Sequence, residues 1–401
     1  MPLPEAPMVE VDAGMCVQWG AGRSWVIAAR SFILGSMATV LLSACGGAAA
    51  GDDPTPRAPV PTATATATAA PSTATSIPPT RTPIPPTATP TPLPLSASRI
   101  SWQGQEWYLH GANLPWYAWG CDFGCGANGG ASSASTRSAI RPALRAAADA
   151  GMVNIRWWMF PGDPWQIARA ADGTPTGIDP AVYADIDAAL ALADELGLYY
   201  TFVLFSGPEA IPRSWMSDAS QREALAAVLG EGLFRRYADH PRILSWEIVN
   251  EPEFRIWSGE FTRAEVVDTV KAIAAQANAE TTSLVTVGSA TLDGLELWVG
   301  AGLDYYQAHW YDYMQPGAWC ARCVTYPEVR RGYGLDAPLV IGEYYGGPDA
   351  DAAQRLEDWY AKGYAGAWAW SLLSDRTADK MAIDEAASAG FAAEHADVGP
   401  R

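Results

Sequence analysis

The 401-residue sequence predicts an α/β fold, a single (β/α)8 (TIM) barrel that follows a signal segment and a disordered linker. From residue 99 onward, short apolar runs alternate with alanine-rich stretches of helical period, which is typical of parallel βα units. Eight such runs fit into about 300 residues, the size of one barrel. The segment before residue 99 lacks this alternation. The predicted divisions are therefore 1–45, 46–98 and 99–401.

Residues 1–45 are predicted to be an export signal. Arg23 and Arg30 accompany a mostly apolar run from Ser31 to Ala44, which is shorter than a membrane-spanning helix requires. The run ends in LSAC, which resembles the bacterial lipobox, and this resemblance implies lipidation of Cys45 and a location on the outer face of the cell membrane. Plain secretion and an uncleaved signal anchor are the alternatives.

Residues 46–98 consist largely of Pro, Thr, Ala and Ser. Such a segment has almost nothing to bury, and its prolines block regular hydrogen bonding, so we expect an extended, disordered stalk. At ~3.1 Å per residue it could hold the barrel up to on the order of 150 Å from a membrane.

The eight apolar runs supply the predicted barrel strands, and candidate helices lie between them. Two of these helices end at Gly151 and Gly197, where a helix C-terminus favours glycine. The segment SRISWQGQEWYL, before the first barrel strand, is predicted to form a hairpin that closes the barrel floor. The predicted strands are 107–113, 153–160, 198–205, 243–250, 283–289, 304–310, 337–344 and 365–372.

An open, doubly wound sheet is the alternative arrangement of these units. It is disfavoured because no G-x-G-x-x-G follows the first strand, where GANLPW opens a tryptophan-rich loop instead.

Composition limits the classes of partner. A formal charge of -18 and a pI near 4.6, without a basic stripe, exclude nucleic acid as an expected partner. The 18 Trp and 16 Tyr residues suit a surface that grips sugar rings, although most should simply fill the core. The chain lacks G-x-S-x-G and H-E-x-x-H, so neither a serine hydrolase nor a zinc hydrolase is predicted, and no metal or cofactor is expected.

Two glutamates fall at predicted strand ends. Glu251 follows the fourth strand in WEIVNEPE, and Glu343 ends the seventh strand in VIGEYY. In a (β/α)8 barrel both positions face one mouth, where the active sites of such enzymes lie. Paired carboxylates at one site are what the hydrolysis of a glycosidic bond requires, because one must protonate the leaving oxygen and the other must attack or activate water. Paired-glutamate glycoside hydrolysis is therefore the predicted chemistry.

The surroundings of the two glutamates predict different protonation states. Glu251, beside Asn250 and with few cations nearby, should stay protonated, whereas Glu343, near Arg156 and a tyrosine hydroxyl, should stay ionised. Glu247 lies on the same face of the fourth strand and is predicted to be a buried partner of an arginine.

WEIVNEPE and VIGEYY resemble the acid/base and nucleophile motifs of the clan A glycoside hydrolases, most of all those of glycoside hydrolase family 5, the cellulase and mannanase family. The resemblance spans residues 99 to 390 and implies a retaining mechanism with carboxyl groups ~5 Å apart. One departure stands out, because members of that family commonly carry a histidine at the end of strand three, where this chain has Ser206. The implied roles are acid/base for Glu251, nucleophile for Glu343, sugar 2-hydroxyl binding for Asn250, support of the nucleophile for Arg156, the H-x-Y pair for His309 and Tyr311, and the floor of the sugar site for Trp370.

The loop after the first strand carries Trp116 and Trp119, which are candidates for sugar stacking or for packing over the barrel rim. Four cysteines remain in the barrel, namely Cys121, Cys125, Cys320 and Cys323. They suit disulfides in an exported protein better than a structural zinc site, and the local pairing is favoured among three possible ones because no long loop must cross the mouth.

The sequence thus predicts an exported, lipid-anchored, retaining hydrolase of a β-linked polysaccharide or oligosaccharide, of the β-glucan or β-mannan type. The alternative is a non-catalytic carbohydrate-binding barrel on the cell surface. The presence of both glutamates with Asn250, His309 and Tyr311 favours the enzyme, because a decayed site should have lost at least one of them.

Overall fold

A computed structural model of the chain describes residues 98–314, 320–348, 351–374 and 379–399. The predicted signal segment with Cys45, and the linker up to residue 97, lie outside the described residues. No helix among the described residues is long and apolar enough to cross a lipid bilayer.

Eight parallel strands form a closed barrel, which confirms the predicted (β/α)8 architecture. Neighbouring strands follow chain order around the barrel, and the pairing of Leu284–Ser289 with Tyr306–Trp310 completes the ring. Each strand is buried along nearly its whole length, because the barrel interior covers one face and the outer helices cover the other. The barrel strands are β3 (Leu109–Leu114), β4 (Asn154–Phe160), β7 (Tyr199–Phe205), β8 (Ile243–Asn250), β9 (Leu284–Ser289), β10 (Tyr306–Trp310), β11 (Leu339–Tyr345) and β12 (Gly366–Trp370).

Two antiparallel hairpins flank the barrel. The first pairs β1 (Ile100–Trp102) with β2 (Gln105–Trp107), as predicted, and Ile100 and Trp102 pack with Leu109, Leu244 and other residues from the amino-terminal ends of the barrel strands. This hairpin therefore closes the floor of the barrel. The second pairs β5 (Ile167–Arg169) with β6 (Pro175–Ile178) in the connection after β4.

Local sequence sets several helix ends. Asp179 accepts a hydrogen bond from the Ala181 amide at the start of the helix Pro180–Leu196. Thr262 and Glu265 form a capping box at the start of the helix Arg263–Glu280. The predicted helix ends at Gly151 and Gly197 are confirmed, with φ values of 75° and 72° that glycine adopts without strain. The helices are α1 (Ala134–Asp149), α2 (Pro180–Leu196), α3 (Arg213–Ser217), α4 (Ala219–Leu229), α5 (Pro252–Trp257), α6 (Arg263–Glu280), α7 (Tyr326–Tyr333), α8 (Ala352–Ala361) and α9 (Glu385–Glu394).

The connection after β9 departs from the expectation that a helix follows every strand. Within the described residues it contains a short 3₁₀ segment, Leu292–Leu297, in place of an α-helix. Gly294 in this segment lies against the buried side chain of Glu253.

Candidate active site

Glu251 stands at the junction of β8 and α5. Its backbone adopts φ 42° and ψ 46°, the left-handed region, and Pro252 then begins α5. The Glu251 amide donates a hydrogen bond to the carbonyl oxygen of Gly288 on β9, at 2.6 Å. A non-glycine residue in this region costs about 1–3 kcal/mol and persists only where the surroundings impose it. The strained backbone at Glu251 therefore lowers the stability of the fold and directs this side chain into the mouth of the barrel.

Glu343 lies on β11 beside His309 of β10, and both of its carboxylate oxygens accept a hydrogen bond. Arg156 donates from Nη1 to Oε1 at 2.7 Å, and the Tyr311 hydroxyl donates to Oε2 at 2.8 Å. Burial, followed by the charge of Glu343, keeps the pKa of Tyr311 well above its ordinary value, so its hydroxyl remains a donor. The orientation of Glu343 is thus fixed from two sides.

Arg156, fully buried on β4, connects β8 and β11 through their side chains. It binds Glu247 through two hydrogen bonds of 2.6 and 2.5 Å, as predicted, and it also donates to the side-chain oxygens of Asn113 and Asn250. Burial by itself would lower the pKa of Arg156, but Glu247 and then Glu343 hold it above the ordinary value. The guanidinium stays charged and serves as the counter-ion of a site that contains more carboxylates than cations.

His309 contacts both Glu251 and Glu343. Its Nδ1 lies 2.8 Å from Oε1 of Glu251 and 3.6 Å from Oε2 of Glu343. Burial lowers the pKa of His309, so the ring is neutral near neutral pH. A neutral ring nitrogen can donate to an ionised Glu251 or accept from a protonated one, depending on the tautomer. The contact is therefore compatible with both states of an acid/base residue.

The two glutamates have different environments. Burial raises the pKa of Glu251 to about 7; Arg156 opposes this shift, while Glu247 and Glu209 add to it. Burial, together with the charge of Glu251, also raises the pKa of Glu343, but Arg156 and the Tyr311 hydroxyl favour its ionised form. Glu251, whose raised pKa favours the protonated form, suits a proton donor, and Glu343, which accepts hydrogen bonds from Arg156 and Tyr311, suits a charged nucleophile.

The separation of these carboxyl groups indicates the type of reaction. An oxygen of Glu251 and an oxygen of Glu343 lie within 4.8 Å of each other. A retaining mechanism requires carboxyl groups about 5–5.5 Å apart, whereas an inverting one needs roughly 6.5–9.5 Å to admit a water molecule. The geometry therefore fits direct attack on the sugar and a covalent intermediate.

Aromatic side chains line the mouth beside the carboxylates. Trp370, at the end of β12, packs with Trp158 and Trp116, at centroid distances of 6.0 Å and 6.4 Å. Trp116 is only 3% exposed, and Trp119 stands edge-on to it at 4.5 Å. Trp116 is thus a buried support of the wall of the mouth, whereas Trp119 keeps more of its surface exposed. Contact of either residue with a sugar remains a prediction.

Tyr313 is a mouth residue that the sequence reasoning missed. Its ring is 76% exposed and lies nearly parallel to that of Tyr311, at 5.6 Å. Strand alternation could not have identified Tyr313, because β10 ends at Trp310 and Tyr313 lies in the turn that follows.

The loop after β3 is held by buried carboxylates that the sequence reasoning also missed. Asp122 accepts hydrogen bonds from the amides of Tyr117 and Ala118 and from the Trp157 indole. Asp185, on α2, accepts from three backbone amides of the same loop, at 2.7 to 2.9 Å. These contacts fix the wall that carries Trp116 and Trp119.

The structure joins Cys121 to Cys125 and Cys320 to Cys323, the local pairing that the sequence favoured. Ser206, which stands where a histidine was expected from the family resemblance, accepts a hydrogen bond from the Gly162 amide at 3.2 Å. It therefore joins the loops after β4 and β7.

Two groups in the described part of the chain bring carboxylate and histidine ligand atoms close enough for a metal ion. One is Glu251, His309 and Glu343, in which His309 is hydrogen-bonded to Glu251 and Glu343 accepts from Arg156 and Tyr311. The other comprises Glu357, Glu394 and His395 at the surface.

No family model matches the sequence. The chain is similar to the mannan endo-1,4-β-mannosidase of Mytilus edulis, at 24% identity over 330 residues that cover 70% of this chain and 87% of the relative. It is equally similar to the enzyme of the same name from Cryptopygus antarcticus, at 24% identity over 333 residues, 70% of this chain and 85% of the relative.

Solved structures share the barrel. The β-mannanase of the blue mussel Mytilus edulis superposes with a TM-score of 0.60 at 22% identity, covering 75% of this chain and 96% of its own. The endo-1,4-β-mannanase of Eisenia fetida gives 0.59 at 19% identity, with 74% and 92% covered. The exo-β-1,4-mannosidase of Opitutaceae bacterium strain TAV5 gives 0.55 at 15% identity, with 76% and 62% covered. These similarities establish the common fold.

Proposed function

We propose that this chain is a retaining β-glycoside hydrolase that cleaves β-1,4-linked mannan within the chain. The observation that carries the proposal is the pair of Glu251 and Glu343, with oxygens within 4.8 Å, at the carboxyl ends of strands in a (β/α)8 barrel. The predicted resemblance to glycoside hydrolase family 5 assigns the same two residues the same roles. Their hydrogen bonds support a division of labour between acid and nucleophile.

In the first step, a carboxylate oxygen of Glu343 attacks the anomeric carbon while Glu251 gives its proton to the departing glycosidic oxygen. The products are a glycosyl ester on Glu343 and a shortened chain with a new hydroxyl. Arg156 and Tyr311 keep the attacking carboxylate ionised and oriented.

In the second step, Glu251, now ionised, removes a proton from water as the water oxygen attacks the same carbon. The ester bond to Glu343 breaks, and the carboxylate is regenerated. Two inversions at one carbon leave the β configuration unchanged. His309 contacts Glu251 and can accept a hydrogen bond from it or donate one to it, according to whether Glu251 is protonated or ionised.

Mannan is proposed as the substrate because both sequence relatives are named mannan endo-1,4-β-mannosidases. The exposed aromatic ring of Tyr313 and the partly exposed Trp119 supply flat surfaces of the kind that sugar rings stack on. Cleavage within the mannan chain is proposed because both names describe endo-acting enzymes.

The test is a panel of β-mannan, glucomannan, cellulose and mixed-linkage β-glucan, incubated with wild type, Glu251→Gln and Glu343→Gln. Wild type should release oligosaccharides of mixed length from mannan, with the β-anomer formed first by NMR. A 2-fluoro-mannosyl fluoride should label Glu343, as mapped by peptide mass spectrometry. The proposal fails if wild type cleaves no polysaccharide, if the α-anomer forms first, or if Glu343→Gln keeps the full rate. Preferential cleavage of a glucan would retain the mechanism and overturn the choice of sugar.

We also propose that Cys45 carries a lipid anchor and that residues 46–98 form a stalk which holds the enzyme outside the cell. Support comes from the LSAC sequence after an apolar run and from the composition of the linker. In a bacterial host that processes lipoproteins, wild type should fractionate with membranes, and Cys45→Ala should not yield a lipidated amino-terminal peptide. An unmodified peptide from wild type would contradict this proposal.

A further inference from the structure

Glu253 carries a buried carboxylate that the proposed reaction does not use. It is fully buried two residues beyond Glu251, and within the described ranges no ion pair joins it to a cation. It accepts hydrogen bonds from the Ser289 hydroxyl at 2.5 Å, the Ala290 amide at 2.9 Å and the Trp298 indole at 2.6 Å. A buried carboxylate is costly unless donors satisfy it, and here three donors converge on it.

These bonds tie the start of α5 to the end of β9. The Glu251 amide already donates to the carbonyl of Gly288, and the Glu253 carboxylate binds the next two residues of the chain, Ser289 and Ala290. The backbone is therefore fastened on both sides of Pro252. Glu251, in its left-handed conformation, is the first residue of the segment Glu251–Glu253 that these hydrogen bonds hold against β9.

The connection after β9 is shaped around Glu253. A Cβ atom on Gly294 would lie 2.6 Å from the Glu253 side chain, closer than such atoms approach one another in proteins. The φ of Gly294 lies outside the left-handed range that favours glycine, so it is the lack of a side chain that matters at this position. The small residue leaves room for the carboxylate.

We propose that Glu253 is a positioning residue for the proton donor. By holding the first turn of α5 against β9, it directs the Glu251 carboxyl toward the glycosidic oxygen. The orientation of Glu343 comes from other groups, Arg156 and Tyr311, so the acid and the nucleophile are aligned by separate contacts. This inference rests on the proposed function and adds a residue to its proton-transfer step.

Glu253→Gln tests the positioning role while keeping the size and shape of the side chain. The amide offers one acceptor oxygen and turns an NH₂ group toward one of the three donors, so the first turn of α5 should shift. We expect kcat/KM on mannotetraose to fall about 10- to 100-fold, because a small misplacement of a catalytic group is costly and an alcohol leaving group needs its proton. On 2,4-dinitrophenyl β-mannobioside, whose leaving group departs unprotonated, kcat/KM should stay within about twofold of wild type.

Glu296→Gln is the matched control, since Glu296 is an exposed carboxylate on the same 3₁₀ segment, and it should behave as wild type on both substrates. Ser289→Ala and Trp298→Phe each remove one donor and should reproduce the substrate-selective loss to a smaller degree. These two variants also test the positioning role if Glu253→Gln does not fold.

Equal loss on both substrates in folded variants would show a general structural role and overturn the inference, as would no loss on either substrate. If wild type hydrolyses neither compound, the proposed function itself fails. If wild type hydrolyses both and the variants keep its ratio of rates, only the positioning role is wrong.

Discussion

The Tyr311 hydroxyl donates to Oε2 of Glu343 over 2.8 Å, and Tyr311→Phe removes this one buried hydrogen bond. The bond favours the ionised carboxylate, so its loss must raise the pKa of Glu343. A hydrogen bond to a charged group contributes about 1.5–3 kcal/mol, and 1.36 kcal/mol corresponds to one pKa unit, which gives a rise of about one to two units. Since Glu343 must be ionised to attack, the acid limb of the kcat/KM profile should move to higher pH by that amount.

The assay is the pH dependence of kcat/KM on soluble mannan, which reports ionisations of the free enzyme. The basic limb is governed by Glu251, with a pKa of about 7, and should stay near its wild-type position, so the active pH range becomes narrower. Tyr306→Phe is the control, because Tyr306 on the same strand donates to Asp336 over 2.7 Å at the opposite end of β10. An acid limb in Tyr311→Phe that coincides with that of Tyr306→Phe would refute the reasoning.

Three further outcomes are expected. Glu251→Gln should lose roughly 10²- to 10⁴-fold in kcat on mannan, and azide should restore turnover of 2,4-dinitrophenyl β-mannobioside with β-mannobiosyl azide as the product by NMR; an α-azide would contradict retention. Arg156→Met should lower the free energy of unfolding in urea by about 3–5 kcal/mol, because it leaves two buried carboxylates without their cation, whereas the exposed Arg141→Met should change it by less than about 1 kcal/mol. Asp185→Asn should cost about 1–3 kcal/mol in the same experiment because three loop amides share its carboxylate, and an unchanged midpoint would contradict that role.

The barrel was predictable because its strands are short, apolar and separated by helical stretches, and all eight lie within a few residues of their predicted bounds. The missing helix after β9 was not predictable from periodicity. That connection is shaped by a three-dimensional contact between Gly294 and Glu253, which are 41 positions apart in the sequence, and no local pattern encodes such a contact.

Glu251, Glu343 and His309 were predictable as neighbours because a parallel barrel brings the carboxyl ends of its strands to one mouth. Arg156, the third residue of β4, was assigned to the site through the family resemblance. Asp185 could not be found in this way. It lies on α2, outside the barrel, and its role depends on the path of a loop 53 to 61 residues earlier in the chain.

The excess of carboxylates over cations explains how one glutamate can serve as acid and then as base. In the free enzyme, burial and then the charges of Glu247 and Glu209 raise the pKa of Glu251, and the charge of Glu251 contributes to the raised pKa of Glu343. Repulsion between two like charges is mutual, so an ionised Glu343 also disfavours the ionisation of Glu251. Formation of the glycosyl ester removes the charge of Glu343, so a repulsive partner is lost while Arg156 remains. The pKa of Glu251 must then fall, which favours its ionised form when water has to be deprotonated. The same buried network that holds the proton for the first step therefore releases it for the second.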